Sequence, residues 1–246
     1  MKKILKRIFL IIAAVFILFI GAALIYYFPM LMMPTPPEAG LIPNTNLYVV
    51  EDFGNNLFLV KTQNAYLMID SGMSVNKIEN FFYKSNINMD DVRWIFQTHS
   101  DGDHVAGLIL FPYASIYMSE DELQLINGTT KRSFLGYNSL PVGVDINRII
   151  PLSDGQELIL DRTRIKCIAA PGHTTGSMLY LIDNKYLFTG DAFKITNGNI
   201  DVHPYTMDTE LSRKTIEELR NTINDSQIVI TSHYGIHYNE SSVKEY

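Results

Sequence analysis

The sequence predicts an α/β domain preceded by one N-terminal membrane-spanning helix. Short apolar runs typical of strands alternate with amphipathic stretches typical of helices, which indicates layered sheets with helices outside. Several strand-like runs end directly at a histidine or an aspartate. An uncharged run of 21 residues from Ile8 to Phe28 predicts the membrane helix. With 246 residues, of which 47% are hydrophobic, the chain can form one sizeable core.

The N-terminal segment is interpreted as an uncleaved signal anchor. Residues 1–7 carry four basic side chains and are predicted to be cytoplasmic, and residues 8–28 can cross a hydrocarbon core of about 30 Å as a helix. A cleaved signal peptide usually has only about 7 to 15 apolar residues before a small-residue cleavage site. This run is longer and ends in Tyr26, Tyr27 and Phe28. The prediction is a single-pass protein in the lipid bilayer with its main domain extracytoplasmic, or a secreted domain if the segment is cleaved.

Residues 29–45 are predicted to be a proline-rich linker, and residues 46–246 the main domain. The N-terminal segment contains four of the 20 basic residues and none of the 26 acidic ones, so the remainder has a net charge of −10. This charge disfavours nucleic acid as a partner. The single cysteine, Cys167, allows no intramolecular disulfide and lies in a strand-like run, where we expect it in the core.

The first strands of the domain are predicted to form a meander. The runs LYVV, LFLV and AYLMID begin at Leu47, Leu57 and Ala65, and the first two are joined by a turn over residues 54–56. A helix is predicted from Val75 to about Lys84 with three aromatic or aliphatic residues on its buried face: Ile78, Phe81 and Phe82.

Four later strands are predicted to end at polar residues. The run VRWIFQ leads into THSDGDHVAG, which begins at Thr98, while IKCIAA, YLFTG and IVITS lead to His173, Asp191 and His233. Between the last two, Asp208 is placed to cap a helix from Thr209 to about Ile223. Its apolar face would contain four residues: Leu211, Ile216, Leu219 and Ile223.

The donor atoms of these residues are those that zinc binds, namely histidine nitrogen and carboxylate oxygen. One loop supplies four candidate ligands: His99, Asp101, Asp103 and His104. A single loop cannot close two metal sites, and three distant residues are available to complete them: His173, Asp191 and His233. Alternatively, one aspartate caps a turn and His173 is a surface residue.

In order and spacing, HSDGDH followed by ValAlaGly, then PGHTTGS, FTGDAF and TSH, resemble the metallo-β-lactamase superfamily, in its hydroxyacylglutathione hydrolase-like branch. The resemblance covers nearly all of the main domain and implies an αββα sandwich that binds two divalent metal ions. The first ion would bind His99, Asp101 and His173; the second would bind Asp103, His104 and His233; and Asp191 would bridge them. The lactamases proper have a cysteine near the bridging position, where Cys167 does not lie.

Asp101 departs from the family loop HxHxDH, which has a histidine at that position. Some branches, such as the flavodiiron proteins, resemble this chain in having a carboxylate there. The extra negative charge makes iron or manganese alternatives to zinc. The remaining histidines, His203 and His237, belong to no motif and are expected at the surface or beside the ligands, and residues 131–147 are expected to form a variable lid.

The resemblance implies a metal-dependent hydrolase with metal-activated water, in which Asp103 orients the nucleophile or takes its proton. Esters, thioesters, lactones and related small acyl molecules are the expected substrates. The alternatives are a phosphodiesterase or nuclease, a flavodiiron-like oxidoreductase, for which no flavin-binding module is visible, and a non-catalytic metal-binding protein. No protein partner is indicated by the sequence.

Overall fold

A computed structural model describes residues 2–31, 39–132, 138–225 and 228–238. The chain divides into two compact units, residues 1–33 and residues 34–246. The first unit contains helix α1, Lys2–Leu31. Within it, the 23-residue window Lys3–Ile25 is long and apolar enough to cross a membrane, and none of that window is buried. A signal sequence would meet the same criteria of length and composition. The middle of the predicted linker, residues 32–38, lies outside the described residues.

The second unit is built on two large sheets. The first contains seven strands in the order in which they occur along the chain: β1 Gly40–Leu41, β2 Leu47–Asp52, β3 Asn55–Lys61, β4 Tyr66–Ile69, β5 Val92–Phe96, β6 Ser115–Ser119 and β7 Ile149–Leu152. The second contains β8 Glu157–Leu160, β9 Thr163–Ala169, β10 Met178–Ile182, β11 Tyr186–Gly190, β14 Ile228–Thr231 and β15 Gly235–Tyr238. A separate hairpin consists of β12 Lys194–Thr196 and β13 Asn199–Asp201.

Helices lie along the connections between these strands. The α-helices of the second unit are α2 Val75–Ser85, α3 Gly102–Val105, α4 Leu123–Ile126 and α5 Thr209–Asp225. Short 3₁₀ helices cover Met89–Asp91, Ala106–Leu110, Glu120–Glu122 and Ile146–Arg148.

Three apolar clusters separate four layers, so the predicted αββα sandwich is confirmed. The central cluster packs the two sheets against each other, with Phe58 and Phe188 in ring contact at 5.4 Å between centroids. The second cluster packs the outer face of the first sheet against α2, and the third packs the outer face of the second sheet against α5. Cys167 is buried in the central cluster, as expected, and burial raises the pKa of its thiol to about 12.

Two local predictions were wrong. The turn between β2 and β3 consists of Phe53 and Gly54, both with positive φ, which is the backbone that a two-residue hairpin requires. Asn55 and Asn56 instead continue β3, paired with Asp52 and Glu51. In α5, Ile216 and Ile223 are buried as predicted and Leu219 packs against them, but Leu211 remains 37% exposed in the first turn of the helix.

Strand direction places the candidate ligands at one edge. β4 and β5 are parallel, and β11 is parallel to β14 and, through β10, to β9. The residues that follow these strands therefore leave the two sheets on the same side. His99 follows β5, His173 follows β9, Asp191 follows β11 and His233 follows β14.

Candidate metal centre

The loop after β5 presents four of the predicted ligands. His99 and His104 are buried, whereas the side chains of Asp101 and Asp103 are 20% and 36% exposed. Asp101 occupies the position before α3, but its side chain makes no capping hydrogen bond to that helix. The alternative that this aspartate serves only as a cap is therefore wrong.

Asp70, which follows β4, orients both histidines of this loop. Its carboxylate accepts hydrogen bonds from the Thr98 backbone and hydroxyl, and its Oδ2 lies 2.9 Å from His104 Nδ1. The Thr98 hydroxyl in turn contacts His99 Nδ1 at 3.0 Å. Both rings thus have their Nδ1 engaged, while the buried Nε2 of His99 and of His104 has no hydrogen-bond partner within the described chain. A carboxylate behind a histidine is the arrangement that fixes a metal-binding tautomer.

Asp191 lies at the middle of the cluster. Its Oδ2 is 3.3 to 3.7 Å from the Nε2 atoms of four histidines: His104, His173, His203 and His233. Gly190 before it has φ +52°, and any Cβ there would overlap the Thr98 side chain. Glycine therefore lets the two sheets approach closely enough for Asp191 to reach the loop after β5.

The remaining predicted ligands are held by neighbouring loops. His233 Nδ1 contacts the Gly54 carbonyl at 2.9 Å, and its Nε2 lies 3.5 Å from Asp103 Oδ2. His173 Nε2 is 3.3 Å from Asp101 Oδ2, and the ring is buried, so the alternative of a surface residue at this position is wrong.

All seven residues predicted as ligands converge, and they form overlapping groups whose ligand atoms lie within 4.8 Å of one another. These groups are His99–Asp101–His173, His99–His104–Asp191, Asp103–His104–His233 and His173–Asp191–His203. Histidine nitrogens and carboxylate oxygens in this arrangement fit a divalent transition metal ion. Several of the buried histidine nitrogens have no hydrogen-bond partner within the described residues, so their lone pairs could bind such an ion.

His203, which was expected at the surface or beside the ligands, lies within this cluster as a further candidate ligand. It is 2% exposed, and neither ring nitrogen has a hydrogen-bond partner in the described part of the chain. His237 lies on β15, where its Nε2 contacts the Tyr234 carbonyl. Lys194 pairs with Asp201 in the β12–β13 hairpin. In the sequence, the signal that draws attention to His203 is its position in a probable loop after Asp191.

Arg132 is a residue that the sequence did not single out. Its guanidinium donates from Nε and Nη2 to the Asp101 carboxylate at 2.9 to 3.1 Å, and from Nη2 to the Tyr205 carbonyl at 2.7 Å. Asn138 also donates to Asp101 at 2.8 Å. Both come from the segment expected to be a variable lid, of which residues 133–137 lie outside the described residues.

The charges of the cluster are strongly coupled. Burial alone would raise the pKa of Asp191, but His233, His203 and His104 hold it well below its usual range. Burial would lower the pKa of His233, but Asp191 and Asp103 raise it to about 10. For His203 burial prevails over Asp191 and lowers the pKa to about 3. His203 is therefore a neutral imidazole, the form that binds metal.

Comparison with known proteins agrees with this geometry. The family profile of the metallo-beta-lactamase superfamily matches residues 50–233. Over 134 residues the chain is 28% identical to "Probable polyketide biosynthesis zinc-dependent hydrolase BaeB" of Bacillus velezensis. This alignment covers 53% of this chain and 51% of that protein. Over 165 residues it is 26% identical to "Lactamase-like protein nscB" of Aspergillus fumigatus, covering 65% of this chain and 42% of the relative. The chain thus spans about half the length of the curated relatives it matches.

Solved structures share the fold at lower identity. A subclass B3 metallo-beta-lactamase from a soil metagenome library, MEM-A1, aligns with a TM-score of 0.62 at 17% identity and 80% coverage of both chains. A B3 metallo-beta-lactamase described as the first with an active-site glutamic acid also has a TM-score of 0.62, at 20% identity, covering 86% of this chain and 85% of the other. With the matching profile spanning most of the main domain, the chain belongs to the metallo-beta-lactamase superfamily.

Proposed function

We propose that the protein is a metal-dependent hydrolase of small acyl substrates. The observation that carries this proposal is the convergence of histidine Nε2 atoms on Asp191, with the buried Nε2 of His99 and of His104 lacking any hydrogen-bond partner in the described chain. An unsatisfied polar atom in such a position costs about 1–3 kcal/mol unless a ligand binds it. Relatives that include a zinc-dependent hydrolase support the same activity.

Two divalent ions, preferably zinc, are proposed to be held by these residues. When bound, such ions act as Lewis acids that lower the pKa of water and polarise a carbonyl. Asp103, His104 and His233 would hold one ion and His99 and His173 would contribute to the other, with Asp191 between them.

Asp103 is proposed to orient the attacking water. It is the most exposed of the acidic residues in the cluster, so its carboxylate faces the side from which a substrate arrives. Burial would raise its pKa, but His104 and His233 lower it to about 2. A carboxylate this acidic accepts a hydrogen bond from water well but retains a proton only briefly.

Helix α1 is proposed to anchor the protein in a membrane as a single span with the basic N-terminus in the cytoplasm. The apolar, unburied window Lys3–Ile25, with its basic residues at the N-terminal end, supports this proposal. Protease added to intact cells should cleave the main domain. A protected domain that becomes cleavable only after lysis would contradict the orientation, and a chain that begins after the helix would indicate a cleaved signal.

The enzymatic proposal is tested on the full-length chain in detergent. Metal content is measured together with hydrolysis of esters, thioesters, lactones and phosphodiesters. His104→Ala should lose metal and acyl hydrolysis, while the matched variant His237→Ala, outside the cluster, should keep both. Less than about half a metal per chain, unchanged by His104→Ala, would contradict the proposal. Phosphodiester hydrolysis alone would favour a phosphodiesterase or nuclease.

A further inference from the structure

The carboxylate of Asp101 is already fully engaged by protein groups. Arg132 donates to both oxygens, and Asn138 donates to Oδ1 while also reaching the Ser100 hydroxyl. The Arg132 Nη2 atom lies 2.9 Å from Asp101 Oδ2 and 3.3 Å from His173 Nε2. A fixed positive charge thus lies against two of the three atoms that the family pattern would offer to the first metal ion. Because the same charge would face any ion bound through His173 Nε2, it does not distinguish between the candidate sites. The difference lies in Asp101, both of whose oxygens already accept hydrogen bonds from protein donors.

Unlike the Asp101 oxygens, the ring nitrogens of His203 have no hydrogen-bond partner within the described residues. Its ring packs edge-on against His173, with 4.9 Å between centroids, and its Nε2 lies 3.7 Å from Asp191 Oδ2. It comes from the loop after the β12–β13 hairpin, so it reaches the cluster from a different direction than the loop after β5. The His203 ring is buried, and neither of its nitrogens has a hydrogen-bond partner within the described residues, so a lone pair on this ring is open to a metal ion. An ion at His173, Asp191 and His203 would use this lone pair and leave the Arg132–Asp101 ion pair intact.

We propose that His203, and not Asp101, completes the first metal site together with His173 and Asp191, and that Asp101 is a positioning residue for Arg132. The inference rests on the proposed function only in requiring that the cluster bind metal. His203 would supply, from a distant part of the chain, the histidine ligand that the loop HSDGDH lacks at Asp101.

With His203 as a ligand in place of Asp101, the first site is expected to prefer a different metal. A site in which Asp101 is a ligand has more carboxylate character and would suit manganese, whereas imidazole donors suit zinc and iron. With the charge of Asp101 compensated by Arg132, the first site has histidine nitrogens and Asp191 alone. The full-length protein should therefore retain zinc in preference to manganese at both sites.

Metal stoichiometry in two single variants tests the assignment. Full-length protein in detergent is loaded with zinc, dialysed, and measured for zinc per chain and for melting temperature. The unaltered chain should retain two zinc ions, Asp101→Asn should retain two, and His203→Ala should retain one. Loss of a group that only positions a ligand costs about 10- to 100-fold in affinity, which saturating zinc overcomes, whereas loss of a ligand should leave an ion that dialysis removes. In cobalt-loaded protein, the visible absorption per chain should fall by about half in His203→Ala alone.

The opposite pattern, one zinc in Asp101→Asn and two in His203→Ala, would overturn the inference. One zinc in the unaltered chain would also overturn it. If His203→Ala does not fold, Asp101→Asn decides alone, because a ligand role predicts one zinc there and a positioning role predicts two. A chain with two zinc ions that depend on His203 but with no hydrolase activity would contradict only the proposed function.

Discussion

Glu122 joins two of the loops that carry the candidate metal ligands, and its replacement by glutamine should destabilise the fold. The carboxylate is fully buried and accepts four hydrogen bonds. Oε1 accepts from the backbone and hydroxyl of Ser100 at 2.7 and 2.6 Å, and Oε2 accepts from the Thr174 hydroxyl at 2.7 Å and the Gly176 backbone at 3.1 Å. Ser100 lies between His99 and Asp101, so one side chain ties the loop after β5 to the loop after β9.

The cost of Glu122→Gln follows from this count. The amide NH₂ must face two donors on one side, so one backbone N–H loses its acceptor and a hydroxyl must rotate. Hydrogen bonds to charged groups contribute about 1.5–3 kcal/mol each, and an unsatisfied buried donor costs about 1–3 kcal/mol. The lower desolvation cost of a neutral amide offsets part of this loss. We expect a net loss of about 2–4 kcal/mol, or roughly 4–16 °C in melting temperature for a domain of this size.

Thermal unfolding of the full-length protein, followed by the fluorescence of the only tryptophan, Trp94, measures the loss. The matched control is Glu120→Gln in the same 3₁₀ helix, where the side chain is exposed and a change within about 0.5 kcal/mol is expected. If Glu122→Gln melts within 2 °C of this control, the hydrogen bonds of Glu122 do not stabilise the two loops and the reasoning fails.

Three further predictions concern single positions. Asp70→Asn should weaken zinc affinity about 10- to 100-fold, because the carboxylate that orients His104 is lost; a zinc titration unchanged from the unaltered protein would refute this role. Gly176→Ala should prevent folding or cost more than about 3 kcal/mol, because its Cβ would overlap a neighbouring backbone, whereas Gly102→Ala, with open space around it, should melt normally. Cys167, whose pKa is raised to about 12 by burial, stays protonated at pH 8 and should react with a thiol reagent only in denaturant; rapid labelling of the folded chain would contradict its placement in the core.

Local patterns in the sequence were sufficient for the elements and for the approximate place of the site. Strand runs such as VRWIFQ and IVITS are short and rich in β-branched or aromatic residues, which favours strands, and a candidate ligand follows each of them closely. Because the ends of parallel strands meet at one sheet edge, the order of the motifs was enough to predict that His99, Asp191 and His233 converge. The composition of a strand and the order of the motifs can be read without knowing how the side chains pack.

The partners of each ligand were decided by tertiary structure. The contact between Asp70 and His104 spans 34 residues, and that between Arg132 and Asp101 spans 31, at separations that no periodicity encodes. The local sequence around His203 does not distinguish it from a histidine at the surface. Only its burial against His173 and Asp191 distinguishes it.

The sequence by itself determined the αββα family fold, the apolar N-terminal helix and the seven residues that meet in the cluster. Tertiary structure decided which lone pairs remain open to a metal ion, since Arg132 donates to Asp101 and the His203 nitrogens have no hydrogen-bond partner within the described residues. The physical reason is that a ligand is defined by which lone pairs remain unused after folding. That depends on contacts between segments distant in the chain, which residue type and spacing alone do not specify.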